Sequence, residues 1–245
     1  STAPLWTLCV AGLYVLPGDV VSSIKTLGAL LLFVCAVLTY RLGQVIGLGR
    51  CGALLAALSV ALTPRLLWAA PSGMEVLLYA ALATAGMGLH VLRFAAKPSH
   101  ASTALFAAAA LARPECLILF PLALVDRWRR DRALGALVAL YKTHVLLYLA
   151  LLAPFAYFNY RYGSGVLPNT FYAKVGSYGL LGALSEGAWL RAGAALTLYP
   201  LEQSVELVRF AVENNLILAI FVPLGLLQII KKSEGSWLVV LVLLS

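Results

Sequence analysis

Apolar runs follow one another along this chain with only short polar breaks. Leu27–Tyr40, Cys51–Ala70, Val76–Phe94, Ala101–Val125, Val145–Phe158 and Leu216–Ile230 are dominated by Leu, Ala and Val. The hydrocarbon core of a bilayer takes about 20 residues of helix, and within it every backbone N–H and C=O must be satisfied by the chain itself. Helices and closed barrels alone meet that demand, and a barrel strand alternates apolar and polar residues over about ten positions. These runs do not alternate. The chain is therefore expected to be all-α, a polytopic transmembrane helical bundle, with residues 1–245 forming one domain. Composition agrees: 62% of the residues are hydrophobic and 11% charged, against roughly 45–50% apolar usage in soluble domains.

The net charge of +8 comes from 18 Lys and Arg against 10 Asp and Glu. In a soluble protein such a balance would point to nucleic acid. In a membrane protein it is the ordinary excess of Lys and Arg in cytoplasmic loops, so the expected partner is membrane lipid and not nucleic acid. Cys9, Cys35, Cys51 and Cys116 are far apart and form no CxxC pair, which indicates neither a disulfide framework nor a zinc site. His90, His100 and His144 fit no metal-ligand spacing. No metal or cofactor is expected.

Taken in order, Asp19 is a good N-cap for a helix running to about Ile46, with Leu27–Tyr40 as its embedded part. Arg41 and Arg50 bracket a turn. Cys51–Ala70 is expected to cross as one run, with Pro64 and Arg65 towards its far end, and Val76–Phe94 to cross back after the turn Ala70–Glu75. Ala133–His144 is expected to lie partly in the interface, and Val145–Phe158 to cross with a kink at Pro154. A loop from Asn159 to Gly176 follows. Leu180–Asn215 mixes apolar residues with Glu186, Arg191, Glu202, Glu206, Arg209 and Glu213, the pattern of outer juxtamembrane helices. Ser245 falls inside an apolar run that begins at Trp237, and the chain starts at Ser1 without Met, so it reads as an internal fragment.

Ala101–Val125 carries Arg113-Pro114-Glu115 at its middle. As one straight span it would hold an Arg and a Glu at the bilayer centre, at a cost of several kcal/mol unless they are paired, and Pro114 would remove a backbone donor. Each half is about ten residues, or roughly 15 Å, too short to cross alone. A hairpin of two short helices with Arg113–Glu115 at its tip meets all three constraints. With the hairpin in place, Arg41, Arg50, Arg93, Lys97, Arg127, Arg129, Arg130, Arg132, Lys142, Lys231 and Lys232 fall on one face, which is expected to be cytoplasmic. Glu75, Arg113, Glu115 and the Arg161–Lys174 stretch fall on the outer one.

Four stretches are thereby expected on the outer face: STAPLWTL at the start, the turn SGME, the tip RPE and the loop YRYGSGVLPNTFYAK. The combination resembles the membrane-embedded C-type glycosyltransferases that use polyprenyl-phosphate sugars, in the bacterial branch around terminal arabinofuranosyltransferases and protein-mannosyltransferase-like proteins. Thr2-Ala3-Pro4-Leu5-Trp6 is similar to the end of that branch's Glu-Gly-Tyr-Thr-Ser-Pro-Leu-Trp segment, with Ala3 in place of Ser. SGME, RPE and LPNTFYAK follow in the family's order. The likeness covers most of the chain, and the LPNTFYAK loop with RPE upstream is its most specific part. The family's first outer loop, with its paired Asp-Asp, would lie before Ser1, so this fragment is expected to hold no catalytic residue and to be inactive alone.

The resemblance implies transfer of a sugar from a polyprenyl-phosphate donor to a glycan, lipid or protein acceptor of the cell envelope. It implies a multi-pass protein of the bacterial plasma (inner) membrane with its site facing outward. That chemistry needs a carboxylate to deprotonate the acceptor hydroxyl and cations or amide donors for the leaving phosphate. The candidate substrate-binding residues are Glu75, Arg113, Glu115, Arg161, Asn169, Tyr172 and Lys174. Lys174 and Arg161 are the candidates for phosphate, and Asn169 and Tyr172 for sugar hydroxyls or for ordering the loop. Each has a plainer reading. Arg113 and Glu115 pair with each other or with neighbours, Glu75 favours a helix N-terminus, Asn169 is a turn residue after Pro168, and Tyr172 and Arg161 anchor an interface. Two other function classes stay open. A transporter would show paired repeats with broken helices, where this chain has one broken segment, and a non-catalytic scaffold would leave the outer polar cluster without a role.

Overall fold

The computed structural model describes residues 3–15, 17–92, 99–131 and 134–162, with 188–190, 205 and 209. Among the described residues every regular element is helical. The expected Leu180–Asn215 helices and the Leu216–Ile230 crossing lie outside the described residues, apart from the isolated positions just named.

Helix α1, Pro4–Tyr14, starts on Pro4, whose missing N–H is no loss in a first turn. Helix α2, Val20–Val45, is capped by Asp19 as its sequence predicts. The Asp19 carboxylate accepts from the Ser22 backbone N–H at 2.9 Å and from the Ser22 hydroxyl at 2.7 Å. Further along, Thr26 and Thr39 donate to carbonyls one turn back, each at 2.8 Å, so their hydroxyls need no water.

The expected crossing Cys51–Ala70 is not one straight helix. Two helices stand there, α3 over Arg50–Ala61 and α4 over Pro64–Ser72, bent by 52° at the break. Pro64 causes the break: its ring disfavours the helical region for the residue before it, and Thr63 is accordingly extended at φ −63°, ψ 118°. Gly73 then closes α4 in the left-handed region at φ 71°, where only glycine is free of a Cβ penalty. Helix α5, Val76–Leu92, follows.

The segment around Arg113 reverses direction. Helix α6 spans His100–Ala112, Arg113 is extended ahead of Pro114, a short 3-10 helix covers Pro114–Ile118, and α7 runs from Leu119 to Asp131. Ser99, Ser102, Thr103 and Phe106 from the start of α6 line the same cavity as Phe120, Ala123, Leu124 and Arg127 from α7, so the second arm returns beside the first. Helix α8, Leu134–Tyr162, is one continuous element. It joins the expected interfacial stretch Ala133–His144 to the crossing that follows and takes in Asn159–Tyr162, the first four residues of the expected loop; the rest of that loop, 163–176, lies outside the described residues. Asn159–Tyr162 hold no glycine or proline, so nothing stops the helix before Gly163.

Packing is organised by small residues. Helix α2 packs against α3, α4 and α5, α5 against α6, and α6 against α8. One buried cluster joins Cys35, Ala69, Ala70, Leu77 and Ala81. The other joins Ala83, Phe106, Ala107, Ala109 and Ala110 to Cys116, Leu119, Phe120 and Tyr148. Gly28 lies directly against the Ala70 carbonyl, Gly43 against Ala53 and Gly86 against the Phe106 ring. Large apolar side chains point the other way. Leu30, Phe33, Val37, Leu54, Leu55, Leu58, Leu146, Leu149 and Phe158 are exposed. Among the described residues Val20–Val45 is the one helix long and apolar enough by itself to cross a membrane, and only 11% of its most apolar window is buried; α3 and α4 pass the same test when taken together.

Candidate functional site

One end of the bundle gathers three of the stretches singled out in the sequence. Trp6, buried near the start of α1, donates its indole N–H to the Gly73 carbonyl at 3.0 Å. That contact sets the N-terminal segment on the SGME turn. Two residues later Glu75 immediately precedes α5, and its carbonyl accepts from Tyr79 N–H at 3.1 Å. Its side chain reaches across to the hairpin tip: Glu75 Oε1 lies 3.4 Å from Arg113 Nε.

Arg113 is held from several sides. Glu115 Oε2 is 3.8 Å from the same Nε, and the guanidinium carbon lies 5.1 Å from the centre of the Tyr79 ring. The extended backbone that Pro114 imposes on Arg113 turns the chain at this point. Glu115 is the open member, with 53% of its side chain exposed, against 32% for Arg113 and 23% for Glu75. Of the plainer readings, the pairing of Arg113 holds, with Glu75 as its nearer partner.

Arg161 stands apart from this network. It lies exposed in the last turn of α8, its guanidinium 5.7 Å from the centre of the Tyr162 ring. Helix α8 runs from the start of α6 towards the tip. His144 meets Thr103 near the α6 N-terminus, and one turn on the Tyr148 hydroxyl donates to the Leu117 carbonyl at 3.1 Å. The C-terminus of α8 therefore points to the same end as Arg113, without an ion pair between Arg161 and the tip among the described residues. Asn169, Tyr172 and Lys174 lie outside the described residues.

The opposite end holds a second polar cluster that the sequence reading missed. His90 Nε2 and Asp126 Oδ2 are 3.0 Å apart, with the Asp126 side chain buried. Thr103 Oγ1 and His144 Nδ1, both in buried residues, share a hydrogen bond of 2.9 Å. His100 stacks on His144 with ring centres 4.4 Å apart. His90, Thr103 and His144 line a cavity of about 20 Å³ together with Ser99, Ser102, Arg127 and Tyr141, room for a single water. The paired residues lie 36 and 41 positions apart in sequence, and a lone His or Thr carries no spacing signal.

Among the described residues no three of His, Cys, Asp and Glu are grouped to hold a metal ion. The tip can offer carboxylate acceptors, guanidinium donors and aromatic surface to a ligand at the rim of the bundle. The basal cluster is enclosed and better suited to tying helices together. No protein-family model, curated protein or solved structure matches the chain.

Proposed function

We propose that the chain belongs to a membrane-embedded glycosyltransferase that moves a sugar from a polyprenyl-phosphate donor to a cell-envelope acceptor on the outer face of a bacterial plasma membrane. The observation that carries this reading is the meeting of separate stretches at one end: Trp6 on Gly73 at 3.0 Å, and Glu75 on Arg113 at 3.4 Å. These are the stretches that carry the family resemblance in the sequence. Bringing charged groups from a helix start and a hairpin tip to one rim gives a polar site beside lipid, where a lipid-linked sugar would arrive.

The membrane part rests on how the helices pack. Burying alanine and glycine while exposing leucine and phenylalanine gains little in water. In lipid, helices associate through close backbone approach, and small residues permit it. The internal hydroxyl bonds of Thr26 and Thr39 suit surroundings that offer no partners. On this reading the Arg113 tip faces outward, the His90–Asp126 end faces the cytoplasm, and the helices form a polytopic bundle.

Lys174 and Arg161 are proposed to hold the donor phosphate, whose charge grows at the leaving oxygen as the glycosidic bond breaks. Loss of one preorganised contact of that kind costs about 10²–10³ in rate. The test is sugar transfer from a polyprenyl-phosphate donor, with protein expressed from its complete reading frame and purified in detergent. Lys174→Ala is expected to lower transfer by that factor at matched protein level, and Lys174→Arg to retain part of it, because the charge survives while the geometry changes. Turnover at the wild-type rate in Lys174→Ala removes Lys174 from the site. Absence of any sugar transfer by the wild-type protein across the donors tried rejects the reading.

A further inference from the structure

We propose that the basal Thr103–His144 and His90–Asp126 contacts form a proton-sensitive lock on the hairpin: neutral His144 holds α6 to α8, and a proton on His144 releases them while α5 and α7 stay joined. The proposal goes beyond the transferase reading, since it concerns the opposite end of the bundle and needs neither sugar nor phosphate.

Placement is the first argument. Each arm of the hairpin is tied to a different flanking helix. The first arm, α6, is tied to α8 by Thr103 Oγ1 and His144 Nδ1 at 2.9 Å and by the His100 ring stacked on His144, with centres 4.4 Å apart. The second arm, α7, is tied to α5 by Asp126 Oδ2 and His90 Nε2 at 3.0 Å. Helix α6 runs from this base to Arg113, so the lock sets how firmly the tip is held.

Surroundings decide what a proton does. His144 is buried and ends the interfacial part of α8, ahead of the crossing that starts at Val145. Of the titratable and charged groups around it, His90 from α5, Arg127 from α7 and Tyr141 from α8 line the same cavity. His100 from α6 stacks on it, Asp126 from α7 is engaged by His90, and Lys142 from α8 is exposed. Among the described residues the cavity wall thus offers a cation, Arg127, and no carboxylate. Its volume of about 20 Å³ takes one water, too little to hydrate a buried charge. His100 is the exposed ring of the stack, and once it is charged the two rings repel.

Burial, and then His100, accordingly hold His144 below its ordinary histidine value. A histidine depressed in this way takes its proton more readily once the contact is open. The contact is at full strength above the unfolded value of about 6.5 and weakens as pH falls below it, towards the folded value. A proton on His90, by contrast, puts an imidazolium beside a carboxylate, which is an ion pair, so the tie between α5 and α7 survives.

Two pairs of spin labels read the two ties separately in the full-length protein in detergent. Cys9→Ser and Cys51→Ser leave the buried Cys35 and Cys116. Labels then go to exposed positions, Ala101→Cys with Thr143→Cys across α6 and α8, and Leu92→Cys with Trp128→Cys across α5 and α7. Histidine ring NMR reports the charge on His144, its signal assigned by loss in His144→Gln. Between about pH 7.5 and about pH 5 the α6–α8 distance is expected to widen reversibly by a few ångströms as His144 titrates, with the α5–α7 distance unchanged. His144→Gln keeps a polar partner for Thr103 but takes up no proton, and should show no widening. The proposal is overturned if His144 charges with no change in the α6–α8 distance, if both distances widen alike, if His144→Gln widens as the wild type does, or if the His144 ring stays neutral throughout. Should His144→Gln fail to fold, the two label pairs in the otherwise wild-type protein decide by themselves.

Discussion

Glu75 and Arg113 meet at 3.4 Å across the space between the residue that precedes α5 and the point where α6 ends. The pair joins a helix start to a chain reversal, two places where backbone groups are otherwise short of partners. Both side chains are partly exposed, so the pair's energy is discounted for solvent screening. In a double-mutant cycle of Glu75→Gln and Arg113→Gln, we expect a coupling on the order of 1 kcal/mol. Reversible unfolding in mixed micelles measures it. Strict additivity would mean that the pair is geometric only.

Gly28 lies against the Ala70 carbonyl, where a Cβ has no room, while a Cβ on Gly12 in α1 would meet nothing within 4 Å. Gly28→Ala is therefore expected to destabilise by about 1–3 kcal/mol. Gly12→Ala should be neutral or stabilising by up to about 1 kcal/mol, because alanine favours helix and narrows the unfolded ensemble. Thermal unfolding of the two variants side by side gives the contrast, and equal effects would contradict the close approach of α2 and α4.

Thr103→Val keeps the side-chain shape but removes the hydroxyl that pairs with His144 Nδ1 at 2.9 Å. With both residues buried, the ring nitrogen loses a partner. The expected cost is about 1 kcal/mol, near the average for hydrogen bonds between helices in a membrane and at the low end for a buried unsatisfied group. Adding His144→Phe to Thr103→Val should recover part of the loss if the unpaired nitrogen is its source.

Hydrogen bonds from the Ser22 hydroxyl and backbone hold the Asp19 carboxyl below the ordinary carboxylate range. A depressed folded pKa means that the cap's contribution is present above the unfolded value and is lost as pH falls through the folded one. Asp19→Ala should thus lower stability at neutral pH, and the gap to wild type should shrink as the medium is acidified below that range. Asp19→Asn caps without a charge and should show no such convergence. Melting curves of the three proteins across acid pH decide the matter.

The hairpin also predicts sidedness. In a cysteine-free background, Glu115→Cys should react with an impermeant maleimide from outside intact cells. Trp128→Cys, exposed on the returning arm, should react only after permeabilisation. Reaction of both from outside would overturn the proposed orientation of the hairpin.

Some of this was legible in the sequence because it is written locally. Asp19 ahead of an apolar run announced α2, and Arg113-Pro114-Glu115 announced the reversal, since charge and proline within three residues leave few alternatives. The bend at Thr63 was missed although Pro64 was in view, because the apolar run continues through it and hydropathy does not register a backbone break. The extension of α8 through Asn159–Tyr162 was missed because aromatic residues suited to an interface also suit a last helical turn. His90 with Asp126 and Thr103 with His144 could not be read at all, since each pair is made by folding. Glu75 was legible as a charge in an unusual place, but not as the nearer partner of Arg113.

Glu115 is only two residues from Arg113, whereas Glu75 comes from another helix. Arg113 therefore carries a counter-ion with it before α5 and α6 have come together. On the membrane reading proposed above, the growing chain would offer a nearly compensated three-residue turn rather than a bare guanidinium, which is far cheaper to move past hydrocarbon. Glu75 then arrives as the second ligand of a cation already neutralised, and its docking fixes position more than it quenches charge.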